Sequence, residues 1–407
     1  MVKFDSRRTN LAACCVVHGL QDGLGAALYV LLPVLAQVFG LSYSQIGIIR
    51  AATNTAMAIF EIPSGVLAER YGERVLLAFG LACAGVGFLL LPLSQGFVGL
   101  TLCLLIAGVG AAFQHALSSA IVVSSFDAHG RRGALGVYNA AGDAGKLALA
   151  AASSVAIGIG ISWQGIAVGF GMTAILGGCV LLYALRLTGA GGALAGSHPH
   201  TAKPVLAPGW GINDRSGFAI LSAITSLVSL VQGTFLTFIA FIMIEKDVPT
   251  HLAASAVVLT LIGGMVGKFA CGFLAGRFGI VRSLILVQLL TALCLVGVLG
   301  APTLIGFCLL PIVGVFLQGS SSITYATVSD FVDSGKQSRG FALIYSLSSA
   351  ASIAGPVCFG YIGDVHGLAP AMLGMVVLVL LPLVLCGGLR QALLRTSVEP
   401  AVAPQES

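Results

Sequence analysis

Long apolar stretches dominate the chain and are broken at intervals by a few polar or glycine-rich residues. A helix needs about 20 mostly apolar residues to cross a bilayer. Twelve stretches meet or approach that length: 9–39, 44–68, 75–94, 97–124, 133–158, 163–186, 216–244, 251–276, 282–299, 303–328, 340–362 and 368–390. The runs are continuous rather than alternating, which predicts membrane-crossing helices and not the strands of a membrane barrel. The first run follows Lys3, Arg7 and Arg8 but extends well beyond a short apolar core and lacks a small-residue cleavage site. It is expected to be a retained span rather than a signal peptide. The segment 187–215, rich in Gly, Ala and Pro, is the longest polar interruption and splits the spans into six and six. The expected organisation is an N-terminal six-helix bundle over 1–186, a cytoplasmic linker over 187–215, a C-terminal bundle over 216–395 and a cytoplasmic tail over 396–407. The fold class is therefore all-α and membrane-embedded, with twelve transmembrane helices in two pseudo-symmetric six-helix bundles.

Composition sharpens this picture. Of 407 residues, 57% are hydrophobic and 9% charged, against roughly 25% charged in soluble domains. A soluble globular protein and a disordered chain are both excluded. The 54 glycines suit membrane helices whose backbones approach closely. Lys and Arg outside the spans fall almost entirely in one set of loops, from Lys3, Arg7 and Arg8 to Arg390 and Arg395, with Lys246 the exception. By the positive-inside rule both termini are cytoplasmic, in what is expected to be a bacterial inner membrane. The net charge of +5 is spread over these loops and gives no reason to expect a nucleic-acid partner. The ten cysteines all fall within spans without C-x-x-C spacing, and read as small packing residues rather than a disulfide framework.

The two halves repeat each other. Gly65-Val-Leu-Ala-Glu-Arg-Tyr-Gly72-Glu-Arg74 after the second span matches Gly272-Phe-Leu-Ala-Gly-Arg-Phe-Gly279-Ile-Val-Arg282 after the eighth. Gln21-Asp22-Gly23 echoes Gln232-Gly233, and Phe113-Gln114-His115 echoes Leu317-Gln318-Gly319. Arg132-Gly133 followed by Tyr138 parallels Arg339-Gly340 followed by Tyr345. A six-span offset preserves topology, so the repeats run parallel.

With these features the chain resembles the major facilitator superfamily of secondary transporters. The segment Gly65–Arg74 is similar to that superfamily's signature G-x-L-[AS]-[DE]-R-x-G-R-[RK], with Glu73 where a basic residue is usual. The resemblance implies that Gly65, Glu69, Arg70, Gly72 and Arg74, with Arg277 and Gly279 of the second half, form a conformational latch. The alternative is that the arginines are only inside-loop charges. The glycines are expected to allow a tight turn between helices. His18-Gly-Leu-Gln-Asp22, Leu41-Ser-Tyr-Ser-Gln-Ile-Gly47 and Phe113-Gln-His-Ala-Leu-Ser-Ser119 resemble the fosmidomycin-resistance branch of effluxers. Span four lacks the Arg-x-x-x-Gly-type motif and span five the Gly-Pro of proton-driven drug antiporters, which weakens an antiport reading.

Ionisable groups inside a span are costly and mark candidate function. His18 and Asp22 are spaced i, i+4 and share a helix face; Asp22 lies near mid-span, as does His115. The resemblance implies that His18, Asp22, Gln114 and His115 face Gln232 and Gln318 across a central cavity. A carboxylate beside a histidine there could couple solute movement to protons. The alternative is a satisfied hydrogen-bond network that only positions helices. Asp143 and Lys146, i and i+3 in span five, and Lys268 in span eight form a further set. Three readings stand: an Asp143–Lys268 pair, or an Asp143–Lys146–Lys268 cluster, that breaks during transport; an anion held by Lys146 or Lys268; and local pairing alone. Arg50, near the outer end of span two, is expected to snorkel to the interface.

No G-x-x-x-x-G-K-[ST] loop is present, so ATP drive is not expected. No cofactor or metal is expected either, since the seven methionines form no ligand cluster with His or Cys. The leading function is a secondary transporter of a small-molecule substrate, proton-coupled and acting as a monomer in the lipid bilayer, with efflux of a drug-like or anionic metabolite as its direction. Uptake of a small carboxylate is the transport alternative. A non-transporting sensor with the same fold comes from another class, and an intramembrane enzyme is disfavoured because no nucleophile or metal constellation stands out.

Overall fold

The computed structural model describes residues 5–127, 130–192, 210–333 and 337–398. They form helices α1 (Ser6–Phe39), α2 (Tyr43–Tyr71), α3 (Glu73–Leu90), α4 (Phe97–Ala111), α5 (His115–Ser125), α6 (Arg131–Gly158), α7 (Trp163–Thr188), α8 (Arg215–Glu245), α9 (Thr250–Ala253), α10 (Ser255–Phe278), α11 (Ile280–Gly300), α12 (Thr303–Thr327), α13 (Gln337–His366) and α14 (Leu368–Val398). Among the described residues ten helical spans are long and apolar enough to cross a membrane, with α4–α5 and α9–α10 each counted as one. The two long helices outside that set are α2 and α6, which carry Arg50, Asp143 and Lys146 among small and polar residues. Those polar and charged residues lower the mean hydropathy of α2 and α6.

The chain divides into two compact units. The first comprises residues 1–199 and 247–258, the second residues 200–246 and 259–407. Most of the expected linker, 193–209, and the tail beyond 398 lie outside the described residues.

In the first unit α1 packs along α6 and α7, α3 along α4 and α7, and α2 along α4. Small residues set these distances. A Cβ on Gly145 would meet the backbone of Gly19, and a Cβ on Gly23 would sit 2.6 Å from Leu149 Cδ1 and 2.7 Å from the Gly145 carbonyl. At the end of the unit bearing the N-terminus, buried Asn10 donates to Ser125 Oγ at 3.0 Å and accepts from Thr188 Oγ1 at 2.6 Å, tying α1 to α5 and α7.

The fourth span departs from the continuous helix expected over 97–124. It tightens at Ala112, Phe113 and Gln114, whose amides bond three residues back, to Val109, Gly110 and Ala111, before restarting at His115. Close packing accompanies the change. Gly108 lies against the Thr53 carbonyl, Gly110 against the backbone of Gly80 and Ala84, and the Phe113 ring meets Phe79 edge-on at 5.3 Å.

In the second unit α8 packs on α12, α13 and α14, and α11 on α12 and α14. Its core includes Phe218, Leu221, Leu284, Phe331 and Leu389. Asp214 caps α8, accepting from the amides of Ser216 at 2.9 Å and Gly217 at 3.0 Å. These bonds hold its carboxyl below the usual aspartate range.

The repeat appears in the backbone. Gly72 has φ 83° and its amide bonds Ala68 O at 2.8 Å; Gly279 has φ 85° and its amide bonds Ala275 O at 3.0 Å. Gly108 presses on the Thr53 carbonyl in one unit, and Gly314 on the Thr260 carbonyl in the other. The expectation for Gly65 is corrected: it lies inside α2 with open space about its Cβ position and takes no part in the turn, which belongs to Gly72 alone.

Gly145→Ala should lower stability by about 1–3 kcal/mol, the usual cost of overpacking. Gly65→Ala, where a methyl meets nothing, should stay within about 0.5 kcal/mol of the parent protein. Thermal unfolding of the purified chain in detergent checks both, and equal effects would refute the packing assignment. Asp214→Ala should cost about 1 kcal/mol at neutral pH. Because the folded carboxyl titrates below the unfolded one, this difference is present above the unfolded pKa and fades as pH falls through the folded value, which unfolding measured across acidic pH would show.

Candidate functional site

Asp22 stands on α1 with its side chain 10% exposed. Three basic groups converge on it. His18 Nε2 lies 3.3 Å from Oδ2, Lys146 Nζ 3.0 Å from the same oxygen, and His115 Nε2 3.6 Å from Oδ1. Each arrives for a local reason. His18 is one helical turn before Asp22. Lys146 comes from α6, whose approach to α1 depends on Gly145 having no side chain. His115 is the first residue of α5, placed by the tightened turn that interrupts the fourth span.

The His18 ring is held on every side. It stacks on Tyr138 at 4.1 Å and meets the His115 ring edge-on at 5.2 Å. Gly142 lies beneath it, where a Cβ would come within 2.5 Å of Nε2. Its Nδ1 sits 2.9 Å from the carbonyl oxygen of Tyr138. A carbonyl only accepts, so Nδ1 carries a hydrogen. Nε2 then faces a carboxylate oxygen, and contact between two bare acceptors would repel. One proton therefore belongs between His18 Nε2 and Asp22 Oδ2, on the imidazole or on the carboxyl.

Around this core lies a second set of contacts. Lys146 also reaches Asp143 Oδ1 at 3.4 Å, so its ammonium is shared by two carboxylates. Gln114, 2% exposed, donates to the Tyr138 hydroxyl at 2.8 Å, and buried Ser118 sets its hydroxyl beside the same group, while Gln114 Oε1 is buried without a partner. His18, Asp22 and His115 present ligand atoms within 4.8 Å of one another, a spacing that a metal ion could use. The Lys146 ammonium already supplies positive charge at Asp22 Oδ2, however, and competes with any cation there.

The other expected site residues are arranged differently. In the second unit one N–H of the Gln232 amide donates to the carbonyl of Leu317 at 2.6 Å, within its own unit. The Gln318 amide packs over Gly264, where a Cβ would lie 2.5 Å from Cδ, and its Nε2 is buried without a partner. Lys268 is half-buried on α10. In the expected latch, Glu69 and Arg70 are exposed, and Arg70 lies over the Tyr71 ring at 5.4 Å. Arg74 is anchored within its own unit, its amide donating to Gly191 O at 2.9 Å. Arg277 lies over Phe278 at 5.8 Å, before the turn at Gly279.

Sequence reasoning missed the Tyr138 carbonyl and the roles of Gly142 and Gly145. The Arg-Gly…Tyr repeat was the available signal for Tyr138. Its repeat partner Tyr345 is 51% exposed and lies against Tyr325 at 4.8 Å, so the two halves use one motif differently.

Comparison with known proteins agrees with this architecture. The family model of the Major Facilitator Superfamily matches residues 12–356. The chain is 27% identical over 379 residues to YfnC of Bacillus subtilis (strain 168), described as an uncharacterized MFS-type transporter, covering 88% of each. It is 24% identical over 367 residues to a hexuronate transporter of the same organism, covering 84% of each. Among solved structures, a bacterial homolog of the human lysosomal transporter Spinster matches with TM-score 0.83 at 16% identity, over 98% of this chain and 100% of that one. The nucleoside transporter NupG matches with TM-score 0.71 at 14% identity, over 94% and 99%.

Lys146→Gln should leave Asp22 short of a counter-charge and lower stability by about 1–2 kcal/mol, less than for a fully buried pair because Lys146 is partly exposed. Adding Asp22→Asn should recover more than half of that loss. A double-mutant cycle by thermal unfolding measures it, and additive losses would mean that the contact carries no coupling.

Proposed function

The chain belongs to the Major Facilitator Superfamily, and on that premise we propose that it is a secondary transporter in which the Asp22 cluster carries a proton through the transport cycle. It is an integral, multi-pass membrane protein of a family of transporters, not of enzymes. The observation supporting proton coupling is the His18–Asp22 contact, where the carbonyl of Tyr138 claims Nδ1–H and leaves one proton to be held between Nε2 and the carboxylate.

Lys146 makes the cluster switchable. Its ammonium lies 3.0 Å from Asp22 and 3.4 Å from Asp143. A small displacement trades one carboxylate for the other, and the carboxylate left behind is the one that takes up a proton. Burial makes that trade consequential, because an uncompensated charge in a low-dielectric interior is costly. A network that served only to position helices would gain from being neutral; this one keeps two carboxylates, a lysine and two histidines. The basic loops support a cytoplasmic location for both termini.

A second reading, uptake of a small carboxylate, is favoured by one finding: a relative matched over most of its length is a hexuronate transporter. Both readings place the solute beside the same titratable cluster and differ in cargo and direction.

The test is transport in proteoliposomes with an imposed pH gradient, screened across anionic and amphiphilic solutes. Proton movement should appear only with transported solute. Asp22→Asn should abolish gradient-driven accumulation while solute exchange without a gradient persists. Flux indifferent to the gradient in the parent protein would end the coupling proposal, and binding without flux would favour a sensor.

A further inference from the structure

Arg50 does not snorkel, contrary to the expectation from its place near the end of its span. It is 5% exposed, and its guanidinium carbon sits 4.0 Å over the ring of Tyr29. Its Nε is buried and meets no acceptor. Among the described residues no carboxylate lies within ion-pair distance of it. Lys146, by contrast, has two carboxylates. A buried guanidinium without a counter-ion is costly, and stacking on a ring offsets only part of that cost. Stacking occupies the face of the guanidinium and leaves its edge of N–H donors free. That edge, Nε–H beside Nη–H, is the one that grips a carboxylate or phosphate through two parallel hydrogen bonds.

Tyr29, on which the guanidinium stacks, shares a helix face with Asp22. Both Arg50 and Tyr29 belong to the first unit. On α1, His18, Asp22, Gly25 and Tyr29 fall within about 60° of one another, at 100° per residue. The apolar Ala12, Val16 and Leu20 lie on the opposite side of the helix. Gly25, between Asp22 and Tyr29, is exposed, and nothing lies within 4 Å of the position its Cβ would take. Along the axis Asp22 and Tyr29 are about 10 Å apart, the span of a sugar-sized molecule.

We propose that Arg50, braced on Tyr29, is an oxyanion-recognition site for a small polar solute whose uncharged body lies along Gly25 toward Asp22. The proposal rests on the transporter reading and names the substrate class of that site: a solute bearing a carboxylate or phosphate. Without cargo the guanidinium lacks a counter-charge, and the solute supplies it, which favours the loaded state and discriminates against neutral analogues, because these would leave the buried cation unpaired.

The experiment is equilibrium binding to the purified full chain in detergent at matched ionic strength, without a pH gradient, followed by ligand-dependent thermal shift and calorimetry. The probes are D-glucuronate, D-glucose 6-phosphate and D-glucose. At least one of the two anions should bind and glucose should not; which anion binds separates carboxylate from phosphate. Arg50→Gln should weaken that binding roughly tenfold to a hundredfold. Arg50→Lys, which keeps the charge but loses the two-donor edge, should weaken it by a smaller factor, and Tyr29→Leu should weaken it too. If Arg50→Gln fails to fold, Arg50→Lys decides the matter. Absence of binding by both anions to the parent protein, or unchanged affinity in the folded arginine variants, overturns the proposal. Because no gradient is applied, anion binding that depends on Arg50 alongside flux indifferent to pH would sink only the proton-coupling reading.

Discussion

A carboxylate in the middle of a membrane span must be neutralised, and the first unit is arranged around doing so for Asp22. Asp22 keeps only 10% of its side chain exposed, so protein groups supply most of its neutralisation. Lys146 can reach it only because α6 lies against α1 without side chains between them at Gly19 and Gly145. His18 can reach it only because Gly142 leaves room for its ring and Tyr138 fixes that ring's orientation. His115 reaches it because the fourth span is interrupted one residue earlier. Small residues in the packing and charged residues in the cluster are therefore one design: without the first, the second would be unpaired charges in hydrocarbon.

The pseudo-repeat separates scaffold from chemistry. Gly72 and Gly279 adopt the same backbone conformation, and Gly108 and Gly314 press on threonine carbonyls at matching places. These constraints are geometric, and duplicated halves keep them. The polar side chains diverge. Where the first half holds Asp22, the second has Gln232 bonded to a backbone carbonyl; where the first buries Tyr138 against a histidine, the second leaves Tyr345 half-exposed. His18, His115 and Lys146, the groups that lie within ion-pair distance of Asp22, all come from the first unit, and Gln232 at the position matching Asp22 carries no charge.

The candidate site was partly legible in the sequence. The i, i+4 spacing of His18 and Asp22 and the i, i+3 spacing of Asp143 and Lys146 are helix properties and survive folding. That Asp22 and Lys146, more than a hundred residues apart, share a hydrogen-bond distance was not legible, because it depends on which faces of two helices meet. Arg50 shows the same limit from the other direction. Its distance from a helix end suggested the interface, but a side chain long enough to reach the surface can equally fold inward onto a tyrosine, and rotation about the helix axis settles which.

By itself the sequence determined the class of protein and the twofold repeat, because hydropathy over some twenty residues and the recurrence of its glycine-rich motifs are properties that act locally along the chain. It also marked which charges lie in the membrane and so need an explanation. Tertiary structure alone decided which of those charges meet, which proton is shared and where the fourth span breaks. These are outcomes of helix rotation and of sub-ångström packing at glycines, set by residues far apart in the chain, and no local pattern encodes them.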